Sequence, residues 1–119
     1  MLFIIEKLRN EFTEFSNTKY CFRGLMAKES KIEEKLVKAV KKVGGKALKL
    51  VCPGYVGEPD RLILIAFGKV GFVEVKAPNK KPRKIQKKRH QELRELGFKT
   101  YVLDNENQIG GIIDDIRTT

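Results

Sequence analysis

Tryptophan is absent from this 119-residue chain, histidine occurs once, at His90, and cysteine twice, at Cys21 and Cys52. One histidine and two distant cysteines leave no CxxC or HxxxH set for a structural zinc ion. They also lack the paired spacing of a disulfide scaffold, which suits a reducing compartment. No stretch reaches the roughly eighteen apolar residues of a membrane span, and charge interrupts the opening MLFIIEKLRNEF too early for a signal peptide. A cytoplasmic location without a membrane partner is the expectation. Phenylalanine and tyrosine are scattered, so no aromatic platform for stacking single strands is evident.

Acidic residues are missing from one long segment. Residues 76–89, KAPNKKPRKIQKKR, hold eight basic side chains and no acid, within a chain of formal net charge +10. A mixed, solvated surface does not need so one-signed a run. Lys80, Lys81, Arg83, Lys84, Lys87 and Lys88 are therefore candidate contacts to a phosphate backbone, with Arg61 and His90 as neighbours. A lone helical histidine is more often a packing or surface residue, and that reading of His90 is slightly favoured.

The pattern along the chain is that of an α/β domain. Phe3, Ile4, Leu8, Phe12 and Phe15 predict a helix within residues 1–25, read as an N-terminal helical extension to a main unit of residues 26–119. Ile32, Leu36, Val40 and Val43 predict an amphipathic helix from Lys28 to Val43, stopped by Gly44 and Gly45. Strands are expected over 46–52, 60–67 and 69–77, the last two apolar enough to be covered on both faces. A helix over 82–96, a strand over 98–104 and a closing helix over 109–116 complete the order.

The chemistry rests on an acid pair. If the second and third strands form a hairpin turning about Phe67, Asp60 faces Glu74, with backbones about 4.5 to 5.5 Å apart. Like charges opposed in an apolar sheet are costly unless one carboxylate holds a proton or a hard cation sits between them. Period-two alternation points Lys76 to the same side as Glu74, about 7 Å along the strand. Two carboxylates, the Val75 carbonyl and a lysine suit an oxygen-preferring ion beside an anionic phosphodiester, and Glu33 is the best further carboxylate, with Glu29 one turn earlier as its rival. The plainer alternative is a salt bridge, in which Lys76 neutralises Glu74 and Asp60 caps a turn after Pro59.

These residues resemble a known family. Pro59-Asp60 followed by Glu74-Val75-Lys76 is similar to the motif of the PD-(D/E)XK nucleases, and "GEPDRL", "FVEVKAPNKKPRKIQ" and the Gln86 to His90 spacing resemble the VRR-NUC family within it. The resemblance implies a restriction endonuclease-like αβββαβ core, a mixed central sheet flanked by helices. It implies Asp60, Glu74, the Val75 carbonyl and Glu33 as ligands of Mg2+ or Mn2+, Lys76 as the catalytic lysine and Gln86 beside the site. It further implies a structure-selective DNA endonuclease working as a homodimer, first of all on four-way (Holliday) junctions, in the host cytoplasm if phage-encoded. Flap cleavage, nicking and a noncatalytic DNA-binding module are the alternatives.

Overall fold

A computed structural model describes residues 23–118. The order is α1 (Arg23–Lys42), β1 (Lys46–Lys49), β2 (Arg61–Ile65), β3 (Lys69–Val75), α2 (Lys84–Glu95), β4 (Lys99–Leu103), a 3-10 turn (Glu106–Gln108) and α3 (Ile109–Arg117). This is the expected α/β succession with shorter strands. The helix expected within the first residues lies outside the described ones, while α1 begins five residues before its expected start.

The four strands lie in chain order, β1-β2-β3-β4. β1 pairs antiparallel with β2 and β2 with β3, whereas β3 and β4 are parallel, with α2 in the crossover between them. The hairpin register pairs Arg61 with Val73, Leu62 with Phe72 and Ile65 with Lys69. One step further along that register, Asp60 stands opposite Glu74, as the sequence predicts. The hairpin closes through Ala66, Phe67 and Gly68, where Phe67 (φ 68°) and Gly68 (φ 71°) both take the left-handed conformation. That backbone is costly for a phenylalanine, and Phe67 is left fully in solvent.

Alternation along the strands decides which side is the core. Ile63 and Ile65 of β2, Val73 and Val75 of β3 and Leu103 of β4 point to one face, where α1 supplies Ile32, Leu36 and Val40 and α3 supplies Ile109, Ile112, Ile113 and Ile116. The other face carries Leu62, Leu64, Val70 and Phe72, which are only half-buried. Their apolar character suggested cover on both sides; among the described residues the cover there is partial, from α2 and from Phe98, whose ring meets Phe72 edge-on at 5.7 Å.

Leu36 is fully buried at the centre of the α1 stripe. Leu36→Ala is expected to destabilise the domain by about 3 to 5 kcal/mol. A urea titration would register this as a lower midpoint at unchanged slope.

Candidate active site

Asp60 lies just before β2, behind the fully buried Pro59. Its Oδ2 accepts a hydrogen bond from the Val75 backbone N–H at 2.8 Å, which draws the carboxylate across the hairpin to the end of β3. In an extended strand the N–H and carbonyl of one residue point to the same side, so the Val75 carbonyl also faces Asp60.

Glu74 is 2% exposed, because its place on β3 directs it beneath α2. Gln86 crosses that gap. Its Nε2 donates to Glu74 Oε1 at 2.7 Å and its Oε1 accepts from the Arg83 backbone N–H at 2.7 Å, so one side chain both caps the start of α2 and holds the glutamate. The Lys76 Nζ stands 3.6 Å from Glu74 Oε1. On the far side His90, 3% exposed, brings Nε2 to 3.7 Å from Glu74 Oε2. Neither of those last two atoms has a hydrogen-bond partner although both are buried.

The electrostatics match the geometry. Burial, and then the charge of Glu74, push the Asp60 carboxyl up from 3.8 to about 7, against the opposing pull of the Val75 N–H and Lys76. Glu33 adds a smaller push in the same direction. The two acids thus share one small space, while the donorless Glu74 Oε2 is turned toward His90. A hard cation would offset the like-charge cost, and the donors present, two carboxylates and a carbonyl, are all oxygen. Among the described residues no cluster of three or more His, Cys, Asp or Glu could hold a metal ion. The protein would therefore furnish a partial shell, as Mg2+, which keeps several waters, commonly accepts.

Other expected residues have different partners from those expected. Glu33 Oε1 accepts from Arg61 Nε at 2.7 Å, and Arg61 also donates to the Ala47 carbonyl at 3.2 Å. The expected further carboxylate is thus tied to an arginine, and Arg61, expected to face DNA, is turned into the fold. Its rival Glu29 accepts from the Ala77 N–H at 3.1 Å. His90 faces Glu74 and not the surface. Lys80, Lys81, Arg83, Lys84, Lys87 and Lys88 are all exposed around the start of α2.

Two features escaped the sequence reading. Lys28, Lys31, Lys35, Lys38 and Lys42 stand on α1 in steps of three and four, which sets them on one exposed face about 21 Å long; that spacing was legible. Arg89 carried no such signal, since it sits in a run of phosphate-seeking lysines. In the fold its Nε donates to the Val56 carbonyl at 3.0 Å and its Nη1 to the Tyr55 hydroxyl at 2.9 Å.

Comparison with known proteins decides the family. A phage protein named "Putative nuclease p44", from Acyrthosiphon pisum secondary endosymbiont phage 1, is 45% identical over 82 residues, which is 69% of this chain and 88% of that one. A solved structure described as a VRR_NUC domain matches with a TM-score of 0.69 and 30% identity, covering 73% of this chain and 95% of that chain. The chain belongs to the VRR-NUC family. No family model matches it. The mixed four-stranded sheet with flanking helices is the VRR-NUC fold, so the acid pair, Lys76 and Gln86 sit on the architecture that the motif implied. No helix among the described residues is long and apolar enough to cross a membrane.

Proposed function

We propose that this VRR-NUC nuclease is a Mg2+-dependent, structure-selective DNA endonuclease that acts as a homodimer on four-way junctions. The observation that carries the catalytic part is the buried pair Asp60 and Glu74, with the Asp60 carboxyl pushed up to about 7 and Lys76 alongside. When bound, a divalent ion supplies Lewis-acid stabilisation of charge on the scissile phosphate and activates the attacking water. Asp60, Glu74 and the Val75 carbonyl would hold it. Gln86 fixes the rotamer of Glu74, so its carboxylate need not reorganise during the reaction. Lys76, 15% exposed, keeps a concentrated positive charge where a phosphate oxygen gains negative charge.

Substrate handling rests on the two lysine faces. The α2 cluster and the α1 stripe are both sequence-independent phosphate contacts, which suits recognition of shape over base order. Lys35 of the stripe pairs with Glu106, leaving its neighbours to the solvent. A triple reversal, Lys84→Glu, Lys87→Glu and Lys88→Glu, is expected to flatten the dependence of log affinity on log salt by about 2.7. Fluorescence anisotropy over a salt series would measure it, and an unchanged slope would remove this surface from the interface. The dimer follows from the proposed substrate: two symmetric cuts in a four-way junction call for two sites related by a two-fold axis. The half-buried apolar sheet face, with Leu48 39% and Phe98 43% exposed, offers a second copy surface to cover.

The test is direct. Purified protein is incubated with labelled four-way junction, flap, nicked and linear duplex in Mg2+ and in EDTA, while gel filtration compares its mass with the 13.6 kDa monomer. Paired, metal-dependent cuts at the junction by a species of twice that mass are expected. Preference for the flap or the nick would redirect the substrate assignment, and binding without cuts in any metal would identify a noncatalytic module.

A further inference from the structure

We propose that Tyr55, backed by Arg89, is a stacking platform for an unstacked nucleobase at the branch point. The proposal rests on the DNA nuclease reading above and specifies what selects the branch.

The loop between β1 and β2 leads directly to Pro59 and Asp60, and it is fastened to α2 at three points. Arg89 donates to the Val56 carbonyl and to the Tyr55 hydroxyl, its guanidinium carbon lies 3.9 Å from the Tyr55 ring centroid, and Glu92 takes two further bonds from the same guanidinium, at 3.1 and 3.2 Å. Gly57 rests against Ile85 so closely that a Cβ there would come within 2.9 Å of the Ile85 Cγ1, at a φ of 93° that also disfavours any side chain. Arg89 is therefore spent on the loop and is not a free phosphate ligand, although it lies within the basic run.

This clamp holds an aromatic ring in water. Tyr55 is 50% exposed even though Arg89 covers one side of it, so its open surface is the opposite face and edge. Val51 and Val56, in the same loop, are also exposed, at 59% and 63%. A rigid, half-exposed ring beside apolar neighbours is a surface waiting to be covered. Arg89 immediately precedes His90, which stands beside Glu74, and the loop that carries Tyr55 runs on to Asp60, so the platform is tied to the site from both sides of the sequence.

A base stacks well on such a ring, and every base has a π-face, so the contact is indifferent to sequence. In continuous duplex each base is already stacked between neighbours and the platform has nothing to accept. At a junction the stack is interrupted and a base can be taken at little cost. Tyr55 would thus reward branched DNA over linear DNA within reach of the catalytic residues.

The experiment is a binding cycle in EDTA, using a four-way junction with all bases present and one with abasic nucleotides at the branch. Tyr55→Ala is expected to weaken binding to the intact junction about tenfold, to leave the abasic junction and linear duplex unchanged, and Tyr55→Phe to retain full affinity. Loss on both junctions equally, or on neither, overturns the proposal, as does a defect in Tyr55→Phe equal to that of Tyr55→Ala. Wild-type protein that cuts no DNA in Mg2+ would instead sink the nuclease reading, an outcome seen separately from the cycle.

Discussion

Asp60→Asn is expected to reduce cleavage by about a hundred- to a thousandfold while binding to DNA in EDTA is retained. The amide preserves the shape and can still accept from the Val75 N–H, but it removes one of the two charges on which ion binding would depend. Lys76→Ala should lose a comparable factor by a different route. Its substitution takes away charge next to the phosphate yet leaves both carboxylates in place, so a Mn2+ titration should show normal ion affinity in Lys76→Ala and weakened affinity in Asp60→Asn. Cleavage surviving in Asp60→Asn would mean that the acid pair is structural and that Lys76 merely neutralises Glu74. The two variants together separate the role of holding an ion from the role of stabilising charge.

Stability in the absence of metal should fall as pH rises from about 4 to about 7. The folded-state carboxyl of Asp60 is raised to about 7 from 3.8, so the native protein binds this proton more tightly than the unfolded chain does. Its contribution is fully present below pH 3.8, declines across that window and is gone above about pH 7. The upper limit is about 4 kcal/mol. Thermal melts of metal-stripped protein at pH 5 and pH 8 should therefore differ, with the lower midpoint at pH 8. Added Mg2+ should restore the midpoint at pH 8, where Asp60 has lost its proton, and do little at pH 5, where Asp60 keeps it. Asp60→Asn should remove both the slope and the rescue. A pH-independent midpoint in the wild type would show that Asp60 is solvated and free of Glu74.

Much of this was legible beforehand because hairpin register is a local property. Two apolar runs joined by a short turn at Phe67 and Gly68 leave few ways to pair, and the register found sets Asp60 toward Glu74 with Lys76 on the same side. Gln86 was placed beside the site by resemblance, and the fold adds the reason: its amide spans from the α2 N-terminus to Glu74. The strands were expected too long because apolar character continues past the last paired residues, through Leu50 and Val51, where the Gly and Pro loop takes over. Apolar character likewise overstated the cover on the second face, since periodicity reports which residues avoid water and not how much of a face a helix reaches.

The amino-acid order alone determined the αβββαβ succession, the facing acids, the lysine beside them and the basic start of α2, since each follows from alternation, helical spacing or turn chemistry within a few residues. Only the tertiary structure decided that Glu33 belongs to Arg61, that His90 turns inward to Glu74 and that Arg89 grips the loop before Asp60. Those contacts join residues 16 to 33 positions apart on different elements. They depend on how each helix lies across the sheet, which is set by the packing of the whole core and leaves no trace in local periodicity.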